Sequence, residues 1–150
     1  MEENKIMTVT DDNNMLLELT GEKKVMYTSL NPENEKEEQI LFNASANSDT
    51  SVGEMINRTI NLRHVFCEMV EIKPKLDKET GEMSEGGIQP RTVLIDENGK
   101  SYSTISMGIF TALKKLFAIK GTPDTWDKPV PIEIIQKNIG KNRLFSFILK

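Results

Sequence analysis

Between Ile40 and Lys150, apolar residues recur mostly at every second position, in short runs broken by Gly, Pro and Asn. Spacing near two is the mark of half-buried strands. ILFNAS, beginning at Ile40, predicts a short strand, and SVGEMINRT (Ser51–Thr59) a turn-like segment. TINLRHVFCEMVEI (Thr59–Ile72) is the longest strand candidate. Its even positions Ile60, Leu62, Phe66 and Val70 are the more apolar set, but His64 and Glu68 interrupt them. A bulge near the middle would exchange the two faces, and long bent strands serve small closed barrels. Lys73–Pro90, with glycine turn signals and alternating charges, predicts a long hairpin loop.

RTVLIDE predicts a strand, ENGK a tight Asn-Gly turn and SYSTIS a thin return arm. Helical spacing is clearest in SMGIFTALKKLFAIKG, where Ile109, Phe110, Leu113, Leu116 and Phe117 form one stripe. Ser106 is its expected N-cap and Gly121 its terminator. TPDTWDKP predicts a loop whose Trp126 caps one end of the fold. VPIEIIQK then predicts a strand with Val130, Ile132 and Ile134 on one side, NIGKN a turn, and RLFSFILK the last strand. At least one of Phe145 and Phe147 must be core. The fold class expected from this order is mainly β: an OB-fold-like, five-stranded, partly open Greek-key barrel with one helix between late strands. Ahead of it, Met15–Leu30 reads as a hairpin or arm and Asn31–Gln39 as a charged linker. The expected domains are an acidic N-terminal extension over residues 1–38 and the barrel over residues 39–150.

Composition narrows the chemistry. A chain of 150 residues with 37% hydrophobic positions can bury a core without staples. Its single Cys and single His allow no internal disulfide and none of the usual structural zinc sites. Cys67 reads as a small buried hydrophobe in a reducing compartment. No apolar run is long enough for a membrane span, and the first residues lack a signal peptide's apolar segment, so a cytoplasmic protein is expected. Net charge is −4, which argues against nucleic acid until its distribution is considered. Residues 1–38 carry 4 basic and 10 acidic side chains, whereas residues 39–150 carry 15 basic and 13 acidic. The barrel is therefore free to hold a basic face.

Catalysis finds little support. His64 and Cys67 are three apart on a strand and point to opposite faces unless a bulge intervenes. Asp96 and Glu97 sit at a turn, where acids have local reasons to occur. No phosphate-binding glycine signature and no cofactor motif is present. Binding of a nucleic-acid strand needs cations for its phosphates and flat rings for its bases. The candidates are Tyr102, Lys100, Arg63, Arg91, Lys73, Lys75, Lys137, Lys141 and Arg143. Tyr102 stands alone among Ser and Thr. It reads either as a stacking surface or as a half-buried strand tyrosine.

The ordered phrases ILFNA, SVGEMINRTINLRHVF, RTVLIDENGKSYSTIS, GIFTALKKLF, GTPDTWDKPVPIEIIQ and LFSFIL resemble the small single-stranded-DNA-binding proteins of tailed phages of Gram-positive bacteria. The resemblance covers about Gln39–Lys150. It implies a non-enzymatic, OB-like coat for single-stranded DNA in phage replication or recombination, acting in the host cytoplasm without sequence preference. Tyr102 is then the tyrosine implied in stacking, single-stranded DNA the partner, and replication proteins further partners. An interaction module on the same barrel, acting on a host or replication factor, is the alternative.

Overall fold

The computed structural model describes residues 26–72, 74, 76, 81, 87–140 and 142–150, with residues 72, 139, 142 and 143 described in the backbone alone. In chain order they form β1 (Met26–Thr28), α1 (Glu35–Ala46), β2 (Thr50–Ser51), β3 (Thr59–Ile72), β4 (Gly87–Asp96), β5 (Ser101–Thr104), α2 (Met107–Lys120), β6 (Val130–Ile139) and β7 (Asn142–Leu149). Short 3-10 turns lie at Val52–Met55 and Pro123–Thr125. One sheet holds the strands in the order β2-β5-β4-β3-β6-β7, with β1 added beside β3. Only β2, against β5, is parallel within it.

β3 makes the sheet curl. Its first residues, Thr59 to Leu62, pair with β6, and from Leu62 onward it pairs with β4. Register shifts between Leu62 and His64, where the sequence called for a bulge. Before it, Ile60 and Leu62 face the main core. After it, Val65 and Cys67 do. The inward set thus passes from even to odd positions, and Phe66 turns to the opposite face. One strand serves two halves of a curled half-barrel.

The main core joins Ile60, Leu62, Val65, Leu94, Ile132 and Ile134 to the α2 stripe Ile109, Phe110, Leu113, Leu116 and Phe117. Burying each such side chain contributes about 1.5–3 kcal/mol before ordering costs. α2 runs between the expected ends, with Ser106 at the N-cap and Gly121 at the C-cap. Gly121 has φ 81°, a left-handed value that favours glycine. Trp126 is buried, meets Phe117 edge to face, and donates its Nε1–H to the carbonyls of Lys120 and Gly121. It closes the C-terminal end of α2, as the loop sequence suggested. Phe147 is core, and Phe145 is partly buried against it.

The stretch read as a strand at ILFNAS is instead part of helix α1. Asn34 caps it by accepting from the backbone N–H groups of Lys36 and Glu37. Glu35, Glu37 and Glu38 fill its first turn, where negative charge suits the helix dipole. Ile40, Leu41 and Ala44 then stand at i, i+1 and i+4. That spacing buries Ala44 and packs the partly buried Ile40 and Leu41 on Phe66, Val93 and Ile95, on the face of the sheet opposite α2. The described residues accordingly hold two helices, and β1 and β2 are short strands beyond the five expected. Residues 26–38, assigned by sequence to the acidic extension, supply β1 and the start of α1. Residues 1–25 lie outside the described residues.

Candidate nucleic-acid interface

The arm SYSTIS is thin for a structural reason. β2 lies parallel to β5, with Thr50 opposite Tyr102 and Ser51 opposite Ser103. Ser101 is buried and donates through both its N–H and its hydroxyl to Asp49 Oδ2. The backbone N–H of Asp49 donates back to Ser101 Oγ at 3.0 Å. Small hydroxyl residues therefore make room for β2 and satisfy its polar groups.

Tyr102 takes the inward position on that arm. It is 4% exposed and belongs to the main core. Its hydroxyl donates to Asp96 Oδ2 at 3.2 Å, and Lys100 Nζ lies 5.7 Å from the ring centroid. Burial, reinforced by Asp96, pushes its phenol up to about 12. The open stacking face expected of Tyr102 is thus corrected: its ring packs inside. The inward direction follows from the register, because Tyr102 pairs with Leu94, which is itself core. Lys100 remains exposed at the β4–β5 turn, where its backbone N–H donates to Asp96 Oδ1.

The arginines on β3 and β4 serve the fold. Arg91 donates to Glu68 Oε2 at 3.0 Å and to the Ser45 carbonyl at 3.2 Å, tying the end of α1 to the sheet. Arg63, at the bulge, donates to the Pro123 carbonyl at 3.0 Å. Lys73, Lys75 and Lys141 lie outside the described residues. Arg143 is described in the backbone, opposite Asn138, and Lys137 stands opposite Leu144 on the same β6–β7 hairpin. From Gln136 to Leu144 the chain carries Lys137, Lys141 and Arg143 and no carboxylate.

That hairpin borders a groove. α2 and β7 enclose an open trough of about 600 Å3, whose apolar walls include Met107, Leu116, Ile119, Leu144 and Phe145. Lys115 from α2 and Lys137 from β6 are its cations, and no carboxylate stands among its described lining residues. Gly108 sets its depth. A methyl group there would overlap the Phe145 carbonyl oxygen and lie 3.1 Å from the carbonyl carbon, so only glycine lets α2 approach β7 this closely. The Ser106 hydroxyl donates to the same carbonyl. β7 also ends the strand order, and among the described residues one of its edges has no strand partner. The trough thus combines an apolar floor, part of an aromatic ring and two cations, the ingredients that hold an unpaired strand. The sequence reading did not place Lys115 or Phe145 at a trough. A glycine in the first turn of an otherwise strong helix was the available signal of close approach.

His64 and Cys67 do not meet. Cys67 is in the main core with Sγ 3.9 Å from Thr92 Oγ1, whereas His64 Nδ1 lies 3.1 Å from Ser29 Oγ on the other side of the strand. Among the described residues no group of three or more His, Cys, Asp or Glu side chains could hold a metal ion. No helix among the described residues is long and apolar enough to cross a membrane.

Comparison with known proteins identifies the family to which this curled sheet belongs. Residues 20–149 match the family described as phage single-stranded DNA-binding protein. A single-stranded DNA-binding protein of Bacillus phage GA-1 is 30% identical over 121 residues, covering 75% of this chain and 68% of that protein. No solved structure matches significantly. The chain belongs to the phage single-stranded DNA-binding protein family.

Proposed function

We propose that this protein coats single-stranded DNA during phage replication or recombination, non-enzymatically and without sequence preference, through the α2–β7 trough and the β6–β7 hairpin. The observation that carries this is the family match across residues 20–149, joined to a trough whose charged walls are lysines alone among its described residues. Lys115 and Lys137 meet phosphates, and Lys141 and Arg143 extend the cationic track along the hairpin. Met107, Leu144 and the exposed part of Phe145 receive base faces. Each stacked base is worth roughly 1–3 kcal/mol, and micromolar binding needs about −8 kcal/mol, so two or three bases with several cations suffice. Lys73 and Lys75, on the β3–β4 connection, are further candidates for the backbone of a longer strand.

The topology supports an OB-like assignment. β3 pairs with both β4 and β6, β4 continues to β5, β6 continues to β7, and α2 falls between β5 and β6. That is the strand order of a five-stranded Greek-key barrel with β5 and β7 left apart, and β1, β2 and α1 are additions to it. The site of action is the host cytoplasm, with replication proteins as neighbours on the same DNA.

Fluorescence anisotropy with labelled oligo-dT, duplex of the same length and oligo-U, each at two salt concentrations, tests the reading. Single strands should bind more tightly than duplex, and added salt should weaken them. Equal affinity for duplex, or binding unaffected by salt, refutes it.

A further inference from the structure

α1 buries one side and leaves the other open. Ala44 is 2% exposed, with Ile40 and Leu41 packed beside it. Phe42, by contrast, is 64% exposed, an unusual state for a phenylalanine on a helix. Glu35, Glu38 and Phe42 fall at i, i+3 and i+7, so two carboxylates and the ring share one outward stripe. Glu33 and Glu37 stand nearby, and Lys36 is the one lysine in α1. The face is an aromatic knob in a negative field, and it repels a DNA strand.

The same chain carries the complementary socket. The α2–β7 trough is apolar, measures about 600 Å3, and has Lys115 and Lys137 at its walls. Knob and socket lie on opposite faces of the sheet: α1 covers Phe66, Val93 and Ile95, whereas α2 packs on Val65 and Leu94. One chain therefore cannot fill its own trough with its own α1. A second copy can.

We infer that, without DNA, copies of this chain join head to tail, with the exposed stripe of α1 on one copy seated in the α2–β7 trough of the next, and that single-stranded DNA releases them. Phe42 occupies the place of a base, and Glu35 and Glu38 occupy the places of phosphates against Lys115 and Lys137. The contact is heterologous, so it grows into open chains or closes into a ring. It keeps the strand-binding surface covered until DNA competes for it. The release step rests on the trough being the DNA site, whereas the contact between copies does not.

Sedimentation velocity on the full-length chain over a concentration series, with and without oligo-dT, tests this. Native protein should associate in the absence of DNA. Phe42→Ala should weaken association about tenfold, the scale of losing a central aromatic anchor, while its binding to a short oligonucleotide measured below the association range is unchanged. Glu38→Lys and Lys115→Glu should each weaken association, and the two together should restore it, which no folding defect could do. A chain that stays monomeric at every concentration, or association indifferent to Phe42→Ala and to both charge reversals, overturns the inference. Association that depends on Phe42 but survives saturation with oligo-dT overturns the release step and the trough as DNA site, and leaves the contact between copies standing.

Discussion

Replacing Gly108 with alanine sets two effects of known size against each other. Alanine is the better helix former by at most about 1 kcal/mol, and on that ground alone the variant should be more stable. The added methyl, however, overlaps the Phe145 carbonyl oxygen, a backbone atom that no rotamer change can move aside. Ordinary carbon contact needs about 3.5 Å, so the first turn of α2 must shift away from β7. Overpacking of this kind costs about 1–3 kcal/mol, and the Ser106–Phe145 hydrogen bond, already long at 3.4 Å, weakens with the shift. The net expectation is a loss of roughly 1–2 kcal/mol. At about 2–4 °C per kcal/mol for a chain of this size, Tm falls by several degrees. Thermal and urea unfolding followed by circular dichroism measure the loss. Anisotropy on the same samples should show weaker single-strand binding, because Lys115 moves away from Lys137. A Gly108→Ala protein that melts higher than the native one and binds DNA equally well refutes both the close approach and the trough built on it.

Four further outcomes are expected. Tyr102→Ala should cost about 3–5 kcal/mol of stability as a core truncation, while Tyr102→Leu, which removes the ring but keeps the site apolar, should leave single-strand affinity unchanged; affinity lost from a stable Tyr102→Leu protein would return the ring to the binding face. Lys137→Ala should make the dependence of log affinity on log salt shallower by about 0.7, the share of one phosphate contact on a single strand, and an unchanged slope removes Lys137 from the interface. Both tyrosines of the chain are held above their ordinary 10.0 by burial, Tyr102 at about 12 and Tyr27 higher. Raised pKa values mean that stability is lost as pH climbs from 10 toward 12, so ultraviolet titration should show no tyrosinate step near 10 before unfolding. Burial, with Arg63 second, holds the His64 imidazole below its ordinary 6.5, against the opposing pull of Glu37 and Asp124. The unfolded chain therefore takes up this proton first, and stability declines as pH falls from 6.5 toward the folded value. Urea midpoints of His64→Asn should fall less over that window than those of the native protein, and parallel curves would exclude His64.

Arg91, a candidate by its place at the start of the Asn-Gly hairpin, gains a second meaning in three dimensions. Its guanidinium joins β4 to Glu68 on β3 and to the last turn of α1, so its substitution threatens the seat of the helix. Arg63 similarly holds the start of the 3-10 turn ahead of Trp126. Lys115 gained its place for the opposite reason. It stands off the apolar stripe of α2, yet it is the helix lysine that lines the trough with Lys137.

Local spacing by itself determined much of this protein. The α2 stripe, its two ends, the Asn-Gly hairpin, the bulge in β3 and the inward set on β6 all follow from periods of 3.6 and 2, which neighbours within a few residues enforce. Asn34 and the Ile40–Ala44 spacing carried α1 as well, though an eye for alternation took its apolar core for a strand. Which side of a strand is covered was beyond such reasoning. Tyr102 is inside because Leu94 pairs with it and β2, over fifty residues upstream, leaves no opening on that arm. Arg63 and Arg91 are occupied because a carbonyl and a carboxylate from distant segments reach them first. Burial and pairing are set by long-range packing, so only the tertiary structure could decide which ring is hidden and which cations are held within the fold.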